Sequence, residues 1–115
     1  MTTEKNRGNG TVKYMSHGKL VRDKIPQIIA AAGKKPITRI LGQEEYLVAL
    51  DRKLDEEVAE YQADKSLEEM ADVLEVLFAI CEARGHSVEE LMAARDEKRK
   101  ARGGFAQKIF WDGNE

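Results

Sequence analysis

Cysteine is nearly absent from this 115-residue chain, proline is almost as scarce, and no long apolar run occurs in it. The lone thiol, Cys81, excludes a disulfide within the chain. Its place among Leu74, Leu77 and Phe78 predicts a small buried hydrophobe rather than a nucleophile. A membrane-spanning helix would need an apolar run of roughly 20 residues, and none is there. The residues before Lys19 lack the apolar core of a signal peptide. A cytoplasmic protein with no membrane partner is therefore expected. A large excess of one charge is missing too: 19 Lys and Arg stand against 21 Asp and Glu, a net charge of -2. That balance argues against a nucleic acid polymer as partner. The length suits one domain with a single core.

What the chain does have is charge, 35% of its residues, much of it laid out with helical periodicity. Residues 1–18 are rich in Gly, Asn, Thr and Lys without periodicity and read as a flexible leader. One domain is expected over 19–112. Lys19-Leu20-Val21-Arg22-Asp23-Lys24-Ile25-Pro26 introduces a short helix, with Pro26 in its first turn and Gly33 ending it. Residues 36–41 alternate Ile with Thr and Arg and suit a short extended piece. Three long helices follow, at 43 to about 62, 66 to about 84 and 87 to about 102. Gly85 is a C-cap, and Ser87-Val88-Glu89-Glu90 has the spacing of a capping box. After Gly103-Gly104, residues 105–111 suit a short strand pairing with 36–41. The fold class is all-α, a helical bundle in which an antiparallel helix hairpin carries the functional residues.

Two acidic pairs, Glu57/Glu60 and Glu69/Asp72, flank the polar break Asp64-Lys65-Ser66. Residues three apart share one face of a helix, and helices joined by a tight turn run antiparallel. Glu60 is thus expected level with Glu69, and Glu57 with Asp72. At about 100° per residue, the core stripe of the second helix is Tyr46, Leu47, Leu50, Leu54, Val58 and Tyr61, with Glu57 inside it and Glu60 and Lys53 on its edge. Asp51, Asp55 and Glu56 point to solvent. In the third helix Glu68, Glu75 and Glu82 make a solvated face, whereas Glu69 falls among Val73, Val76 and Ile80. A carboxylate facing an apolar seam needs compensation, and a divalent cation supplies it. Oxygen ligation without His or Cys favours Mg2+, with Mn2+ possible, over zinc; His17 and His86 read as bystanders. Simpler readings stand beside this one. Glu69 also fits a capping box with Ser66, Glu57 fits an i−4 pair with Lys53, and Asp72 fits a half-exposed charge.

Such a site would receive phosphate and would need cations. Val88, Leu91, Arg95, Lys98 and Arg102 share a face of the fourth helix, although basic residues also favour helix C-termini through the macrodipole. Arg22, Lys24 and Lys53 are further candidates, Lys53 the best placed.

Glu56-Glu57-x-x-Glu60 followed by Glu69-x-x-Asp72 resembles the EExxE and ExxD signature of the all-α nucleoside triphosphate pyrophosphohydrolases, the MazG-like superfamily. Asp96-x-Lys98-x-x-x-Arg102 is similar to its later NxKxxxR element, with Asp in place of Asn. The opening Lys19 to Pro26 and the Arg102-Gly103-Gly104-Phe105 element resemble a house-cleaning subgroup acting on noncanonical nucleotides. The spacer between Glu60 and Glu69 is shorter than in MazG proper. The resemblance implies Mg2+ on Glu57, Glu60, Glu69 and Asp72, with Glu57, Glu60 and Lys53 catalytic. It implies Lys53, Lys98 and Arg102 on the phosphate chain, beside Arg22, Lys24 and Arg95 as substrate-binding candidates from the residues themselves, and hydrolysis between the α and β phosphates to a nucleoside monophosphate and pyrophosphate. A homodimer or homotetramer is implied as well. Two alternatives remain open: phosphoribosyl-ATP pyrophosphohydrolase activity, and a non-catalytic helical interaction module.

Overall fold

The computed structural model describes residues 18–115. Four helices follow one another: α1 (Ile25–Ala31), α2 (Gln43–Asp64), α3 (Leu67–Ala83) and α4 (Val88–Arg102). The all-α expectation holds among the described residues. The expected leader lies almost wholly outside them.

Most helix boundaries have a local cause. Pro26 lies in the first turn of α1, where a missing N–H is harmless, and Gly33 takes φ +87° just beyond its end. Ser66 accepts a hydrogen bond from the Glu69 N–H at the start of α3. Ser87 and Glu90 close a full capping box at the start of α4. Gly85, at φ +93°, follows the last turn of α3. α2 ends differently: Lys65 itself takes the left-handed conformation at φ 57°, a conformation that costs an L-residue about 1–2 kcal/mol.

Only Lys65 and Ser66 separate α2 from α3, so the two helices fold back on each other and pack along their length. Leu50 of α2 and Val76 of α3 are the buried hydrophobic residues of this seam. Tyr46, Leu47, Leu54, Tyr61, Val73 and Ile80 are half-buried around them. Val58, expected in the stripe, is 38% exposed, because it stands at the edge of the stripe opposite Glu57. Cys81 is half-buried, and its thiol donates to the Ser87 carbonyl at 3.2 Å. α4 packs on α3 and does not touch α2.

The expected strand pairing does not form. Among the described residues there is no strand, and Ile37, Ile40, Phe105, Ile109, Phe110 and Trp111 are all largely exposed. Beyond Leu91 every residue of α4 is exposed. The second half of that helix therefore projects from the hairpin and carries residues 105–111 away from it. A second apolar stripe also faces solvent on α3, made of Leu67, Met70, Leu74 and Leu77.

Candidate metal centre

The hairpin brings Glu57 to Glu69 and Asp72, but Glu60 groups with Glu56 and Glu57 instead, so the four expected ligands do not form a single set. One carboxylate oxygen from each of Glu57, Glu69 and Asp72 lies within 4.8 Å of the others, and the same holds for Glu56, Glu57 and Glu60. Glu57 belongs to both groups and is the centre of the cluster. Its side chain is only 7% exposed, since α2 turns it into the seam one turn beyond Lys53. Burial pushes its carboxyl above the ordinary range; the Lys53 ammonium pulls it down, and the neighbouring Glu60 and Glu56 charges push it up again. The Glu69 carboxyl is also raised, first by desolvation, then by Glu60 and by its hydrogen bond with Asp72. That influence links Glu60 and Glu69 across the hairpin, as their equal distance from the turn predicts.

Glu69 does not complete a capping box. The backbone half forms, with the Glu69 N–H donating to Ser66 Oγ at 3.2 Å, but the Glu69 side chain does not return to the Ser66 N–H as Glu90 does to Ser87. Its carboxylate is turned instead toward Asp72 and Glu57.

Cations reach the cluster from two directions. Lys53 Nζ lies 3.2 Å from Glu57 Oε2 and 3.4 Å from Glu56 Oε2. From the segment before α1, Lys19 Nζ lies 3.4 Å from the same Glu56 oxygen. Arg22 Nη2 donates to Asp72 Oδ1 at 2.7 Å. Glu56 is thus not the solvent-facing residue the helical wheel predicts. It is 26% exposed and held by two lysines, because the chain before α1 crosses over its side of α2. Lys19 is the participant that sequence reasoning gave no role, and Glu56, part of the EExxE signature, is the one the helical wheel set aside. The signal for both was adjacency, in a Glu-Glu doublet and in the Lys19 to Pro26 run.

The remaining basic candidates are not brought to the carboxylates within one chain. Arg95 pairs with its neighbour Asp96 at 2.9 Å. Lys98 and Arg102 are exposed on the projecting half of α4, on a helix that does not touch α2. Lys24 makes no ion pair with any described residue and is exposed. His86 lies 3.9 Å from Glu90, outside both acidic groups.

The donor set suits a hard cation. Oxygens around an octahedral Mg2+ stand about 3 Å apart when adjacent and about 4.2 Å when opposite, so Glu57, Glu69 and Asp72, within 4.8 Å of one another, would have to draw together to share one. No histidine or thiol enters either group, as zinc would prefer. Among the described residues no helix is long and apolar enough to cross a membrane.

No family model matches the chain, and no solved structure matches it. Over 44 residues, 38% of the chain, it is 59% identical to an uncharacterized protein of Mycolicibacterium smegmatis. The match spans 45% of that relative, less than half its length.

Proposed function

We propose that this protein is a Mg2+-dependent nucleoside triphosphate pyrophosphohydrolase that releases a nucleoside monophosphate and pyrophosphate, with noncanonical nucleotides as its substrates. The observation that carries this reading is Glu57, a carboxylate more than nine-tenths buried whose burial outweighs the effect of its one lysine partner. Around it stand Glu69 and Asp72 with oxygens at near-ligand spacing. A surface charge needs no such burial, and an ion pair alone does not relieve it.

In this reading Glu57, Glu69 and Asp72 hold the cation, and Glu60 is grouped with Glu56 and Glu57. A divalent ion bound there neutralises phosphate charge and lowers the pKa of a bound water. Lys53 fixes one oxygen of Glu57 and leaves the other free for ligation. Glu56, tied to Lys19 and Lys53, shapes the rim of the site. Arg22 stands beside Asp72 and is 56% exposed, within reach of a phosphate arriving from solvent.

The reading also carries a homodimer or higher homo-oligomer. Leu67, Met70, Leu74 and Leu77 form one exposed stripe on α3, and a core built on Leu50 and Val76 is small for the chain. Covering that stripe with a second copy supplies the missing burial; a stable interface needs about 800 Å² per partner. Lys98 and Arg102 then serve a site only if the assembly brings them there.

A pyrophosphate-release screen over canonical, deaminated and oxidised nucleoside triphosphates, with Mg2+ and with Mn2+, tests the function. Release from at least one of them, lost in E57A and D72A, is the expected result. Activity on phosphoribosyl-ATP alone would move the assignment to that enzyme. No release from any substrate would leave a non-catalytic helical module. Light scattering on the eluting protein tests the oligomer, and a monomer at all concentrations would remove it.

A further inference from the structure

The segment before α1 is bound to the acidic cluster in an unusual way. α1 packs against none of the other helices. Across the molecule the segment is tied down by Lys19 on Glu56 and Arg22 on Asp72, with Leu20 and Val21 half-buried between them. Both cations are more than half exposed. Ion pairs of this kind are weak and are given up readily to a stronger ligand.

We propose that Lys19 and Arg22 form an ionic strap over the cation-free site, Arg22 on the ligand Asp72 and Lys19 on the rim residue Glu56, and that Arg22 yields Asp72 to a divalent cation before both offer their charges to the phosphate chain of the substrate. The inference rests on the reading of the cluster as a Mg2+ site. Three observations carry it further. Arg22 holds Asp72, one of the oxygens grouped with Glu57 and Glu69, so the guanidinium and a cation draw on the same charge. Lys53, only 17% exposed, is fixed between Glu56 and Glu57, so Glu56 keeps a partner when Lys19 leaves. The guanidinium is a planar fork that fits phosphate as well as carboxylate, and it stands at Asp72, 56% exposed to solvent.

Isothermal titration of the full chain, first with MgCl2 and then with inorganic tripolyphosphate at saturating Mg2+, tests the strap without reference to turnover. R22Q should bind Mg2+ about two- to fivefold more tightly, the gain from removing a half-exposed competitor. The same variant should bind tripolyphosphate about tenfold more weakly. R22K keeps the charge and should fall between R22Q and the unaltered protein in both titrations. K35Q, an exposed lysine with no carboxylate partner, should change neither. Unchanged or weaker Mg2+ binding in R22Q, or an equal effect from K35Q, overturns the strap and leaves the Mg2+ site standing. No Mg2+ binding by the unaltered protein overturns the site, and the strap with it.

Discussion

Glu57→Gln preserves the shape of the buried side chain and removes its charge. Lys53 is not stranded by the change, since Glu56 Oε2 lies 3.4 Å from it. Burial holds the Glu57 carboxyl above its ordinary value of 4.5, so the folded chain keeps a proton that the unfolded chain has released. Stability therefore falls as pH rises from about 4.5 through the raised folded-state value, and Glu69 acts in the same direction. In the absence of Mg2+, E57Q should lose less stability over that window and unfold at a higher temperature than the unaltered protein at pH 8. Mg2+ reverses the order. At ten times its dissociation constant a ligand specific to the folded state adds about 1.4 kcal/mol, which for a domain of this size raises the midpoint by ~6–11 °C. The unaltered protein should show that rise and E57Q should not. Scanning calorimetry at pH 5 and pH 8, with and without Mg2+, reads all of these. A full Mg2+ shift in E57Q, or a midpoint below that of the unaltered protein at pH 8 without Mg2+, would refute the placing of a strained, cation-seeking carboxylate at the centre of the hairpin.

Lys53→Met removes the partner of a buried charge while keeping the stem; it should cost about 1–3 kcal/mol at neutral pH by urea denaturation and less at pH 4, where Glu57 is protonated. Leu50→Ala empties the most buried position of the seam, 2% exposed, and should cost about 2–5 kcal/mol, read as a loss of helical circular dichroism at moderate temperature. Lys65→Gly relieves the left-handed backbone at the end of α2 and should stabilise by up to about 1 kcal/mol, whereas Lys65→Val should destabilise by a similar amount; thermal midpoints of the two, moving in opposite directions, check it.

The helices and their caps were legible because their causes are local. Ser87 and Glu90, Pro26 and Gly85 act within one turn of where they stand in the sequence. The division of the acidic residues was legible for a related reason: a helical wheel separates Glu57 from Asp51 and Asp55, and Glu69 from Glu68 and Glu75, once the apolar stripe is known. Glu56 escaped that reasoning because its surroundings are made by Lys19, 37 residues away. The Glu69 capping box was ambiguous in sequence because both outcomes use the same Ser66, and only the direction of one side chain separates them. The pairing of 36–41 with 105–111 failed for a tertiary reason. Alternating residues permit a strand, but α4 carries the second segment away from the first. The basic face of α4 misled in the same way, since a shared helical face does not say which neighbour it meets.

The two-residue link between α2 and α3 has a kinetic consequence. Every carboxylate of the candidate centre lies between Glu56 and Asp72, so closing the site requires no distant part of the chain and almost no loop to be ordered. Contacts so near in sequence form early in folding. A growing chain carries the whole acidic cluster once α3 has been synthesised, before Arg102 has been added. If the proposed cation binds there, it should speed the folding of the hairpin rather than merely slow its unfolding.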